Sequence, residues 1–274
     1  MATRMKLLGL ARSCHPEPTL AVTALLTLLA LRWGRGPGTA WVTSAVLSGQ
    51  LSVGWANDYL DRYRDAGRLD KPLAVGTLPA SWVRNASIIA LVLAVGLSMA
   101  SGLAAALAHI AALSLAHAYN LRLKSTDASV VAYSLAFALA PAFVTLGLPA
   151  HRLPPAWIVL AAALIGGGAH FTQTLGDHDR DRESGIRGLP QRIGRPASVI
   201  AAGAILALAA MVATVGPGRP SAIALGLLLV SLLLVAGLVV AGLSRRYRAS
   251  FRLNVLAAGC TVLIFVAGSS TGGL

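Results

Sequence analysis

Apolar stretches follow one another along this chain with only short polar breaks between them. They run near residues 17 to 34, 39 to 57, 83 to 100, 102 to 119, 128 to 147, 155 to 175, 196 to 215, 220 to 243 and 253 to 272. Each is close to the roughly 20 residues that carry an α-helix across the hydrocarbon core of a bilayer. A chain in lipid must satisfy its backbone hydrogen bonds internally, so stretches of this length predict helices. Composition agrees, with 56% hydrophobic and only 12% charged residues, against about 25% charged in an ordinary soluble domain. The expectation is an all-α integral membrane bundle of about nine transmembrane helices, forming a single domain over 1–274. No soluble domain, low-complexity tail or long linker interrupts it.

The formal net charge of +13 would suggest nucleic acid in a soluble protein, but its distribution points elsewhere. Counting alternate connections, one side holds 19 of the 23 Lys and Arg residues, and the other holds Arg32, Arg35, Arg152 and Arg219. The positive-inside rule then puts the N-terminus in the cytoplasm and, with nine spans, the C-terminus outside. Basic residues near the start, Arg4, Lys6 and Arg12, resemble a signal peptide, but "ALRWGRG" offers no small-residue cleavage site. Cys14 and Cys260 fall on opposite sides, which excludes a disulfide and any cysteine metal cluster.

All ten acidic residues share the cytoplasmic side, which a topology signal does not require. Asn57, Asp61 and Asp65 step by four along "NDYLDRYRD", with Asp58 beside them, and a helix brings such a row onto one face. Asp177 and Asp181 repeat the step in "GDHDRDRESGIRGLP", and their row extends back through Gln173 and His170. A third polar stripe runs through His109, His117, Asn120 and Lys124. The two acidic clusters lie 120 residues and four spans apart, so they return to the same face and can confront each other across one cavity. A duplication of four helices plus four would account for this.

Carboxylates packed together repel and resist ionisation unless a cation neutralises them. An oxygen-only donor set suits Mg²⁺ or Mn²⁺, and Mg²⁺ completes its octahedron with water and substrate phosphate oxygens. Nearby Arg68, Lys71, Lys124 and Arg187 would hold the same phosphates. Ionisable side chains at the end of a membrane span are functional by default. Asp179, Glu183, Asp70 and Asp127 read as solvated surface, and Arg245, Arg246, Arg248 and Arg252 as topology charge. His109, His117 and His170 read as interhelical hydrogen-bonding groups, with His170 and Gln173 also candidates to line the acceptor cavity, and Gly166, Gly167 and Gly168 read as a close helix contact.

"NDYLDRYRDAGRLDKPLAVGTLP" resembles the first aspartate-rich motif of the UbiA superfamily of intramembrane prenyltransferases. "DHDRDRESGIRGLPQRIG" is similar to its second, and "AYNLRLKST" resembles the Tyr and Lys of the loop between spans four and five. Where many members carry an Arg-Pro pair, this chain has "DKPL". The resemblance implies Mg²⁺ bound by Asn57, Asp61, Asp65, Asp177 and Asp181, and diphosphate contacts from Lys71, Lys124 and Arg187. It further implies facing motifs at the cytoplasmic ends of spans two and six. Asp58, Arg68, Tyr119, Asn120, His170 and Gln173 complete the expected substrate-binding set. The implied reaction is ionisation of an isoprenyl diphosphate to an allylic cation that alkylates a small, aromatic acceptor. A terpene cyclase acting on the diphosphate alone is the alternative within the enzyme class. A transporter or cation channel is the rival from another class, although one-sided clustering of the acids disfavours a permeation path.

Overall fold

The computed structural model describes residues 2–69 and 71–268, and among them every regular element is helical. In chain order these are α1 (Ala2–Ser13), α2 (Pro16–Arg32), α3 (Gly38–Asp61), α4 (Ala80–Met99), α5 (Leu103–Leu121), a 3-10 turn at Leu123–Ser125, α6 (Ser129–Leu146), α7 (Ala156–Thr174), α8 (His178–Glu183), α9 (Leu189–Ile193), α10 (Arg195–Val215), α11 (Ala222–Leu243) and α12 (Tyr247–Gly268). Asp70 lies outside the described residues.

Each predicted apolar stretch corresponds to one long helix, although the helices are not equally apolar. Seven of them, α4 to α7 and α10 to α12, are long and apolar enough to cross a membrane alone. An eighth candidate is a bent pair, Lys6–Ser13 with Pro16–Arg32, which meet at 62°. Helix α3 is the most polar of the long helices, because its last turns carry Asn57, Asp58 and Asp61. Among the described residues, seven helices thus qualify alone by length and composition and an eighth as a broken pair, while α3, carrying the acidic motif, does not.

The bend before α2 follows from its sequence. Pro16 and Pro18 occupy the first turn of α2, where a missing N–H costs nothing, and the Thr19 hydroxyl donates to the Cys14 carbonyl at 2.8 Å. Gly54 of α3 packs directly on that turn, and a Cβ there would sit 2.3 Å from the Cys14 carbonyl oxygen. Because the obstacle is backbone, Gly54→Ala should lower stability by about 1–3 kcal/mol, the usual cost of overpacking. Thermal unfolding in detergent tests this against Gly96→Ala, whose added methyl meets open space and should leave the midpoint within error.

The long helices close into a ring. Helix α2 packs on α3 and α12, and contacts continue through α3–α4, α5–α6, α6–α7, α7–α10, α10–α11 and α11–α12. At one end Leu29, Val42, Ala105, Phe143, Ile158 and Phe265, from six different helices, pack into a single apolar cluster. Gly166, Gly167 and Gly168 of α7 sit where a Cβ would strike Phe137, Ser134 and Leu206, so this run permits close approach of α6 and α10. Helices α4 and α11 turn Ile88, Val92, Leu225, Leu229 and Leu233 outward. Such apolar outer faces match lipid, where their exposure carries no hydrophobic penalty.

Candidate active site

The ring encloses a cavity with two confluent compartments. The apolar one is lined by residues including Leu26, Leu113, Ala136, Phe137 and Val262, and ends on the packed cluster. The polar one, about 460 Å³, falls within the range of small-ligand sites, roughly 300–1,000 Å³. Asn57, Tyr119 and Gln173 line both and mark the junction.

The first acidic motif winds through the end of α3 and the turn after it. Asp65 lies beyond the helix, yet its amide still donates to the Asp61 carbonyl at 2.8 Å, so the four-residue step is kept. In the second motif Asp177 precedes α8, and the Asp181 amide donates to the Asp177 carbonyl at 2.8 Å. Here the continuous row expected from His170 to Asp181 is interrupted, because α7 stops at Thr174. Within α7, Gln173 lines the cavity and His170 does not: it is 1% exposed, pairs through Nε2 with the Ser129 hydroxyl at 3.1 Å, and stacks against Tyr133. It occupies a buried position behind the cavity wall.

Basic side chains stitch the acids together. Arg64 Nη2 donates to Asp61 Oδ2 at 2.7 Å, its Nη1 lies 3.3 Å from Asp181 Oδ1, and its Nε 3.7 Å from Asp65 Oδ1. Arg68 Nη1 lies 3.0 Å from Asp177 Oδ1 and 3.8 Å from Asp65 Oδ1. Lys124 pairs with Asp61, and Lys71 with Asp58, the latter Nζ also lying 3.6 Å from Asp65 Oδ2. Asn57 donates to Asp61 Oδ2 at 3.1 Å and to Asn120 Oδ1 at 3.2 Å, while Asn120 donates to the Val53 carbonyl at 2.9 Å. Gln191 Nε2 donates to Asp181 Oδ2 at 2.8 Å. Burial pushes the Asp181 carboxyl up to about 6, with Arg64 opposing the shift and Asp177 adding to it.

The structure therefore brings Asn57, Asp61, Arg68, Lys71, Lys124, Tyr119, Gln173, Asp177 and Asp181 to the polar compartment. Asp65 and Asp58 sit just behind it, 3% and 2% exposed. Asp58 pairs with Lys71 and does not line the cavity. Arg187 also departs from expectation, with an exposed side chain away from the cavity lining. Asp127 and Asp179 pair with Arg192 and Arg195 at the surface. Charge counting missed Arg64, Arg248 and Arg252, all of which line the polar compartment; each was indistinguishable in sequence from the other arginines of the connections.

The donor set fits a hard divalent cation. The carboxylates of Asp61, Asp65, Asp177 and Asp181 and the Asn57 amide offer only oxygen, and Asp65 Oδ1 is buried without a hydrogen-bond partner. Among the described residues no three acidic, histidine or cysteine side chains converge on one point, because guanidinium and ammonium groups stand between them.

Fold and site together define a polytopic helical membrane protein with an acid- and base-lined compartment beside an apolar one. The chain belongs to the UbiA prenyltransferase family, which it matches over residues 18–268, and it is an enzyme of that prenyltransferase class. It is 28% identical over 228 residues to the bacteriochlorophyll synthase 33 kDa chain of Cereibacter sphaeroides, covering 72% of this chain and 75% of that one. It is also 28% identical over 230 residues to 4-hydroxybenzoate octaprenyltransferase of Salmonella paratyphi B, covering 78% of each. A UbiA homologue from Aeropyrum pernix K1, in its apo form, superposes with a TM-score of 0.75 at 18% identity, covering 92% of this chain and 98% of that one. A UbiA homologue from Archaeoglobus fulgidus, bound to GPP and Mg²⁺, gives 0.68 at 15% identity, covering 94% and 99%.

Proposed function

We propose that the protein is a Mg²⁺-dependent intramembrane prenyltransferase that moves an isoprenyl group from its diphosphate to a small aromatic acceptor. The observation that carries this reading is the junction of an acid- and base-lined chamber with an apolar one at Asn57, Tyr119 and Gln173. Relatives named for 4-hydroxybenzoate and a structure solved with GPP and Mg²⁺ support the substrate classes.

Asn57, Asp61, Asp65, Asp177 and Asp181 would hold the metal, which when bound supplies Lewis-acid stabilisation of charge on the departing diphosphate. Lys124, Lys71 and Arg68 already point positive charge into the polar chamber and would bind the diphosphate oxygens directly. Asn120 orients the Asn57 side chain from behind. The isoprenyl tail lies along Leu26, Leu113 and Phe137, which exclude water from the allylic cation. Tyr119 and Tyr133, packed edge to face with centroids 5.3 Å apart, stand at the chamber junction, where aromatic faces favour a cation. The alkylated ring then releases its proton to water or to the departed diphosphate.

One domain of nine crossings, with the N-terminus and polar chamber in the cytoplasm and the C-terminus outside, fits the charge distribution. Within it α3 is the second crossing, shielded from lipid on its polar face by its neighbours. Diphosphate release by the purified protein in detergent tests the function, using geranyl, farnesyl and geranylgeranyl diphosphates with and without Mg²⁺ and with or without 4-hydroxybenzoate. Mg²⁺-dependent release that requires the acceptor is expected. Release from the diphosphate alone, with a terpene product, would replace the transferase by a cyclase, and failure of Mg²⁺ and substrate to stabilise the protein would overturn both.

A further inference from the structure

Five acidic side chains, Asp58, Asp61, Asp65, Asp177 and Asp181, crowd one end of the bundle, and five Lys and Arg side chains, Arg64, Arg68, Lys71, Lys124 and Arg180, pair with them. Lys71 and Lys124 contact only acids of the first motif. Two arginines, Arg64 and Arg68, join the first motif to the second, and they do so at different depths. The Arg68 partner in the second motif, Asp177, has a side chain 38% exposed. Arg64 stands instead between Asp61 and Asp181, whose side chains are 6% and 8% exposed. It touches three carboxylates of the proposed metal set at once.

The position of Arg64 conflicts with metal occupancy. A divalent ion shared by the two motifs needs the Asp61 and Asp181 oxygens that the guanidinium now faces. Guanidinium and ion cannot hold the same place, and their charges repel. The hydrogen bonding of Arg64 is also incomplete, since its Nε is buried without an acceptor. Charge holds it there more than a full set of fixed bonds, which suits a group that has to leave. Its departure leads into the polar chamber that its own side chain lines.

Building on the metal-dependent reading above, we propose that Arg64 is an internal counterion that closes the two acidic motifs on each other in the metal-free protein and is displaced when divalent cations enter. It is thereby a positioning residue: it keeps Asp61 and Asp181 near each other through the metal-free part of the cycle and sets the threshold for metal entry.

Mn²⁺ binding without diphosphate, followed by electron paramagnetic resonance on the full-length protein in detergent, separates this role from general electrostatics. Arg64→Gln should tighten Mn²⁺ binding about tenfold, the effect of losing one competing contact worth a single decade in affinity. It should also lower the melting temperature of the metal-free protein and enlarge the rise produced by Mg²⁺. Arg62→Gln removes the same charge two residues away, where the guanidinium lies over Tyr59 and Tyr63 and donates to the Tyr59 carbonyl. It should change the affinity less than twofold. Equal affinity in wild type and Arg64→Gln, weaker binding in Arg64→Gln, or the same gain in Arg62→Gln would overturn the role of Arg64 while leaving the metal site standing. Failure of all three proteins to bind Mn²⁺ would remove the metal site and the proposal together.

Discussion

Replacing Asp61 with Asn should reduce diphosphate release by roughly 100- to 1,000-fold, the scale on which one preorganised electrostatic contact acts, and adding Lys124→Met should not restore it. Asp61 accepts more side-chain hydrogen bonds than any other acid of the site, from Lys124, Arg64 and Asn57. Those contacts admit two explanations. If Asp61 only neutralises Lys124 and Arg64, the single substitution fails because it strands partly buried cations, at a cost of about 3–5 kcal/mol for breaking a buried pair. Removing both partners of such a pair is often nearly neutral, so the double variant would then recover stability and activity together. If Asp61 acts on metal and Lys124 on diphosphate, the double variant recovers melting temperature and stays inactive. Thermal unfolding and diphosphate release on the same preparations decide the matter. Recovery of even a tenth of wild-type turnover in the double variant would sink the functional reading of Asp61.

The parts of the site legible in sequence were those where a charged residue stands out against an apolar chain. Asp61, Asp177, Asp181 and Lys124 are conspicuous because a span tolerates few such residues, and the four-residue step predicts their shared face wherever the chain stays helical. That condition explains the failures. The stop at Thr174 ends α7 before the second motif, so helical periodicity carried from Asp181 back to His170 no longer predicts orientation. Arg187 lies in the non-helical stretch between α8 and α9, where spacing gives no direction at all. Arg64 was hidden for a different reason. Among so many arginines in the connections, only the distance to Asp181, a contact across more than 100 residues of chain, distinguishes it from Arg62. The apolar helices themselves were readable because bilayer thickness fixes their length, but α3 shows the limit: a helix that carries the chemistry is less apolar than its neighbours.

Gly188→Ala should lower turnover by roughly 100-fold, the loss that a misplacement of about 1 Å produces in a preorganised site, although Gly188 touches no acid. A Cβ at Gly188 would lie 2.5 Å from the Lys124 carbonyl oxygen, 3.0 Å from Gln191 Oε1 and 3.1 Å from the Ser129 hydroxyl. The first of these is backbone and has no rotamer to change, so the 3-10 turn carrying Lys124 must separate from the start of α9. That movement draws Lys124 from Asp61, and displacement of Gln191 loosens the amide that donates to Asp181. One methyl group thus disturbs both motifs through their supports, while the long helices keep their packing and the protein stays folded. Gly176→Ala is the matched control: it also lies in the second connection and lines the polar chamber, but a Cβ there meets open space. Release rates near wild type in Gly176→Ala and about a hundredth of wild type in Gly188→Ala are expected. Wild-type rates in both would mean that the spacing between the Lys124 turn and α9 does not govern the reaction.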